Sequence, residues 1–179
     1  MTMHAVVLYR SKTGFVRRYA EWIAEPLVAD LADARVFDPA RFAEYDTVVY
    51  GGGLYASDIN GIGTIKQHLG ALAGKKVAVF SSGASPARNG IEQELLDRNF
   101  TPEQQRQLRF FYLRGGFDFS RLGAVDKMLM TLMKWKILAT PAAKRSDDEK
   151  GMLAAFARPV DFCRRELIDP LVAYCTEVH

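Results

Sequence analysis

The sequence predicts one α/β domain over residues 1–179, built on a parallel sheet with helices on both faces. Three observations carry that prediction. Short apolar, β-branched runs alternate with segments of helical spacing, the order that a parallel sheet requires. A length of 179 residues allows one substantial core and falls short of two. A content of 49% hydrophobic and 25% charged residues is that of a globular protein, and no repeat, low-complexity tract or linker divides the chain.

Ala5 to Tyr9 is an apolar run bounded by polar residues, as in a strand buried on both faces. Phe15 to Leu31 carries Phe15, Tyr19, Trp22, Ile23 and Leu27 at helical spacing, with Pro26 marking a kink near the end. Ala34 to Phe37 reads as a short strand, and Thr47 to Tyr50 as a clearer one ended by Gly51-Gly52-Gly53. A short helix follows over Thr64 to Leu72, then a buried strand over Lys76 to Ser81 and a helix over Gly90 to Asn99. Thr101-Pro102-Glu103-Gln104 has the form of a capping box with proline at the first helical position. Arg109 to Leu113 gives a fifth strand, and Pro159 to Glu177 a last helix holding both Cys163 and Cys175. Twelve residues of one helix would set those thiols roughly 18 Å apart, too far for a disulfide.

Ligands of an open parallel sheet bind beyond the carboxyl ends of its strands. Those loops read Arg10-Ser11-Lys12-Thr13-Gly14, Gly51-Gly52-Gly53-Leu54-Tyr55-Ala56, Ser81-Ser82-Gly83-Ala84-Ser85 and Arg114-Gly115-Gly116, without one carboxylate. A helix start preceded by small hydroxyl residues favours an anion through its unpaired N–H groups and its dipole. The first loop lacks both GxxxxGK[ST] and GxGxxG, so a monophosphate suits it better than a triphosphate or pyrophosphate. Glycines beside Leu54 and Tyr55 suit a planar ring, packed on its face and hydrogen-bonded at its edge. The three histidines, His4, His68 and His179, are scattered and no CxxC is present, so no metal site is expected. The N-terminal MTMHAVVLYR lacks the features of a signal peptide, and a cytoplasmic location is the expectation.

These residues resemble a known family. Ser-Lys-Thr-Gly-Phe-Val, residues 11–16, is similar to the flavodoxin phosphate loop, Ser/Thr-x-Thr-Gly-x-Thr, and most of the chain resembles the flavodoxin-domain group that includes the menaquinone-dependent protoporphyrinogen oxidases. The segments Tyr45 to Tyr55, Phe110 to Asp118, Lys150-Gly151-Met152 and Pro159 to Phe162 carry the wider likeness. The resemblance implies a flavodoxin-like fold, strand order 2-1-3-4-5, and FMN as cofactor. It implies that Ser11, Lys12, Thr13, Gly14, Phe15 and Val16 surround the phosphate, and that Gly52, Gly53, Leu54, Tyr55, Ser82, Gly83 and Ala84 line the isoalloxazine. No residue is required as a nucleophile or acid, because the flavin carries the electrons. Val16 stands where the family pattern has threonine, a lost hydroxyl contact of about 1 kcal/mol. Arg10, Lys12, Arg17 and Arg18 are the cations nearest in sequence to compensate.

The formal charge of +3 is concentrated: residues 120–145 hold Arg121, Lys127, Lys134, Lys136, Lys144 and Arg145 against Asp126 alone, so the remainder is net negative. Met128, Met130, Met133 and Trp135 share this stretch, which is too short and too interrupted by lysine to span a bilayer. It reads either as an amphipathic helix at a membrane surface or hydrophobic partner, or as the fourth helix packed on the sheet with solvated lysines. No nucleic-acid partner is expected. The leading function is an FMN-dependent oxidoreductase that oxidises a hydrophobic substrate of the protoporphyrinogen kind and passes electrons to a quinone, peripheral at the inner face of the membrane. The alternatives are an electron-transfer flavodoxin serving a redox partner protein, disfavoured by the basic charge, and a non-enzymatic binding domain. A phosphate-receiver domain lacks its carboxylates here, and a serine hydrolase its GxSxG.

Overall fold

A computed structural model of the protein describes residues 4–55 and 57–177. Ala56 and His179 lie outside the described residues. Five parallel strands form the sheet: β1 (Ala5–Arg10), β2 (Asp30–Asp33), β3 (Thr47–Tyr55), β5 (Lys76–Gly83) and β6 (Arg109–Arg114), in the order β2-β1-β3-β5-β6. The two-residue strand β4 (Asp58–Ile59) turns back antiparallel on the end of β3, so the parallel strands follow the expected order.

Alternation along the strands makes two cores. Val7, Val49, Ala78, Phe80 and Phe111 face α1 (Phe15–Leu27) and α7 (Asp169–Thr176), with Tyr19, Ile23, Leu171 and Cys175 buried between them. Val6, Leu8, Val48, Tyr50, Val79 and Phe110 face the other way, against α2 (Gly63–Lys66), a turn carrying Leu69 and Leu72, and α3 (Ile91–Asn99) through Leu95. Thr101 and Gln104 form the expected capping box, but the helix it starts, α4 (Pro102–Gln105), is a single turn.

Three expectations need correction. Helix α1 ends at Leu27, where Val28 turns left-handed at φ 49° and the Ala29 N–H bonds back to the Ala24 carbonyl. The following strand is therefore Asp30–Asp33 rather than 34–37, an edge strand whose apolar pattern is absent because Asp30 faces the Tyr45 hydroxyl at 2.6 Å. Ala34 is buried from the turn that follows and Phe37 from the loop after it.

The second correction concerns the glycines after Tyr50, which continue β3 instead of ending it. A Cβ on Gly51 would stand 2.1 Å from the Phe80 ring, and one on Gly52 would stand 2.6 Å from the Asn60 carbonyl, so both positions serve close approach. The third concerns residues 159–177. The Asp161 carboxylate accepts the Cys163 N–H at 3.0 Å and bends the chain, so only Asp169–Thr176 is α-helical and the cysteines share no helix. Both thiols are free, and burial together with nearby Asp161 pushes Cys163 up to about 11.

Residues beyond β6 form an insert closed by a two-stranded ribbon, β7 (Gly116–Phe117) against β8 (Val160–Asp161). It contains α5 (Ala124–Ala139) and α6 (Asp147–Ala157), the latter started by a capping box between Ser146 and Glu149. Helix α5 is not buried on the sheet. Ile137 is its one buried residue, whereas Val125, Met128, Leu129, Leu132, Trp135 and Leu138 are exposed.

Buried Asn99 anchors β4: it accepts the Ile59 N–H at 3.0 Å and donates to the Ser57 and Leu95 carbonyls, each at 2.9 Å. Asn99→Ala leaves these backbone groups without their partner, and urea unfolding is expected to show a loss of about 2 kcal/mol. A loss below about 0.5 kcal/mol would mean that water replaces the amide.

Candidate functional site

The carboxyl ends of β1, β3, β5 and β6 gather the residues singled out in the sequence. Gly14 takes φ 95°, a left-handed conformation that glycine adopts without strain, and so lets the chain turn from β1 into α1. The Ser11 hydroxyl accepts the Gly14 N–H at 3.0 Å, which leaves its own O–H free to donate outward. The first bond of the helix runs from the Arg18 N–H to the Gly14 carbonyl at 3.0 Å, so the N–H groups of Phe15, Val16 and Arg17 precede it. No acidic residue occupies that first turn. The donors and the helix dipole therefore act together on an anion.

The side chains of this stretch divide by role. Phe15 turns away toward the insert, its ring 2.5 Å from where a Cβ on Gly116 would stand, and offers the loop only its N–H. Val16 is buried against the sheet, with a methyl 3.7 Å from the Cβ position of Gly53. Lys12 reaches across to the insert, where its ammonium lies 2.8 Å from both carboxylate oxygens of Asp126 and 4.3 Å from the centre of the Tyr55 ring. Burial, with the Asp126 charge adding to it, pushes the Tyr55 phenol up to about 12.

Of the residues expected at the ring end, Leu54 packs over Gly83, its Cδ1 3.3 Å from the Cβ position there. Tyr55 folds back over Gly53, 3.3 Å from that residue's Cβ position. Tyr55 thus lies between β3 and the first loop, joining the two groups of site residues. The Ser82 hydroxyl is buried without a partner, and a Cβ on Gly115 would meet it at 2.0 Å. The Ala84 carbonyl accepts Arg114 Nε at 3.1 Å. Of the four cations expected to assist, Arg17 pairs with Glu21 at 2.8 Å, Arg18 with Asp161 at 2.5 Å and Lys12 with Asp126, while Arg10 lies against Gly61. The sequence reading missed Arg121, whose Nη1 donates to the Thr13 carbonyl at 3.2 Å. A separation of 108 residues hides that contact from any local pattern.

Residues 6–141 match the flavodoxin domain family. The chain belongs to this family. Flavodoxin domains bind FMN, and the residues present suit it: an acid-free helix start beside a Ser11 hydroxyl whose proton is free to donate to a phosphate, and the partnerless Ser82 hydroxyl as a buried polar group for a ring edge. This flavodoxin domain is similar in fold to a flavodoxin from the domain Archaea, at 20% identity over 63% of this chain and 85% of that one, TM-score 0.42. It is likewise similar to oxidised Flavodoxin 2 from Bacillus cereus, at 21% identity over 62% of this chain and 85% of that one, TM-score 0.43. The two-electron reduced Megasphaera elsdenii flavodoxin matches at 17% identity over 60% and 84% of the two chains, TM-score 0.41. A comparison with curated proteins gives no match.

Proposed function

We propose that this flavodoxin domain is an FMN-dependent oxidoreductase that oxidises a hydrophobic substrate of the protoporphyrinogen kind and delivers the electrons to a quinone, as the oxidase group it resembles does. The observation that carries the proposal is α5: a helix with an exposed apolar face, fixed through Asp126 to Lys12 of the first loop. That arrangement sets a surface suited to a hydrophobic reductant or to a membrane beside the redox site. The lysines at 127, 134 and 136 give α5 a positive charge suited to anionic lipid, and a peripheral position at the inner membrane face follows. Among the described residues no helix is long and apolar enough to cross a membrane.

In this reading the Ser11 and Thr13 hydroxyls and the N–H groups of Phe15, Val16 and Arg17 hold the phosphate, with Lys12 beside them. Gly52, Gly53, Leu54, Tyr55, Ser82, Gly83 and Ala84 receive the ring. Bound FMN supplies the two-electron chemistry. Leu54 and Tyr55 exclude water from the ring, and Ser82 offers its edge a hydrogen bond. Tyr55, weakly acidic in its buried position, remains a neutral phenol throughout the physiological range.

The decisive experiment adds FMN to purified protein and follows protoporphyrinogen oxidation with a menaquinone analogue as acceptor. Quinone-dependent turnover supports the proposal. Flavin binding with reduction only by a partner reductase would favour an electron-transfer flavodoxin, and no flavin spectrum at all would exclude both. Val16→Thr, nearly isosteric, is expected to tighten FMN several-fold by restoring one hydroxyl, at a stability cost of about 1 kcal/mol for a buried polar group. An unchanged dissociation constant would place the phosphate away from position 16.

A further inference from the structure

The phosphate of FMN is a dianion, and the cations expected from the first loop and helix are each engaged elsewhere or turned away. The cation that does reach the loop comes from the insert. Arg121 Nη1 stands 3.5 Å from where a Cβ on Gly14 would lie and donates to the Thr13 carbonyl at 3.2 Å. Its Nε is held by the Asp118 carboxylate at 3.1 Å. Asp118 is buried and itself fixed by the Ser120 N–H at 2.9 Å and the Ser120 hydroxyl at 2.5 Å. The guanidinium is thus oriented by a rigid carboxylate while Nη2 has no partner among the described residues. A planar fork in that position can meet two oxygens of a phosphate, which an ammonium cannot do.

We propose that Arg121 is a phosphate-binding residue of the cofactor site, supplied by the insert in place of the hydroxyl missing at Val16. The proposal rests on FMN occupying the first loop. It makes the insert part of the cofactor site: removing the phosphate removes a contact that fixes the chain three residues before α5. It also makes the site select phosphorylated flavin over flavin without phosphate.

Flavin fluorescence titration of FMN and of riboflavin tests this in wild type, Arg121→Gln and Arg121→Lys, at low and high salt. Arg121→Gln is expected to weaken FMN about tenfold, leave riboflavin unchanged and flatten the salt dependence of FMN binding, with Arg121→Lys recovering part of the loss. Equal FMN affinity in wild type and Arg121→Gln would overturn the proposal while leaving FMN as the ligand. Equal losses for FMN and riboflavin would also overturn it, since they would mark Arg121 as a support of the fold only. Saturable riboflavin binding with no preference for FMN in wild type would overturn the phosphate site itself.

Discussion

Gly51→Ala is expected to lower the unfolding free energy by about 3 kcal/mol, the upper end of the range for overpacking a core. The added methyl would stand 2.1 Å from Phe80 Cζ and 2.4 Å from Cε1. Phe80 cannot swing aside, because it is fully buried and its ring meets Tyr19 edge-on at a centroid distance of 6.4 Å. Strand β3 must therefore shift against β5, and it carries Gly52 to Tyr55 with it. For a domain of this size the thermal midpoint should fall by roughly 6–12 °C. The clash predicts its own relief: Gly51→Ala with Phe80→Leu should be less destabilised than the two single losses combined. Strict additivity in that cycle would show that the ring is not what excludes the side chain.

A triple change of Leu129, Leu132 and Trp135 to serine should abolish sedimentation with anionic vesicles. These side chains are 55, 54 and 65% exposed, so each has about half of its apolar area left to bury, on the order of 1 kcal/mol. Together they account for roughly a hundredfold in partitioning. Thermal stability and FMN affinity should hardly change, because these side chains are exposed and belong to neither core of the sheet. Ile137→Ser makes the contrast, since Ile137 is 7% exposed and its loss should destabilise the insert. Partitioning that survives the triple change would remove α5 as the membrane contact and weaken the case for a hydrophobic substrate there.

Much of the fold was legible because buried parallel strands declare themselves. Ala5 to Tyr9, Lys76 to Ser81 and Arg109 to Leu113 are apolar on both faces and were placed within a residue or two of where they lie. The edge strand Asp30–Asp33 was not, since one side of it meets water and its carboxylates are taken up by Tyr45 from another segment and by Arg35 of the adjoining turn. The glycines after Tyr50 misled because glycine marks close approach as readily as it marks a turn, and only the positions of Phe80 against Gly51 and of Asn60 against Gly52 distinguish the two. Helix α6 was overlooked although Ser146 and Glu149 spell out its start. For the site, local sequence gave the first loop as a unit. Arg121 and Asp126 belong to contacts across more than a hundred residues, for which no spacing rule exists.

The ribbon of β7 and β8 brings Gly116 opposite Asp161 and Phe117 opposite Val160. Roughly forty residues thus depart and return through neighbouring points, and closing such a loop costs only about 2 kcal/mol more than closing a four-residue turn. The segment is in this sense a cassette. A lineage could lengthen it, shorten it or exchange its helices without disturbing the register of the sheet. The same architecture permits a graft: a tight hairpin in place of 118–159 should leave a folded core, stripped of its apolar helix and of the guanidinium beside Thr13.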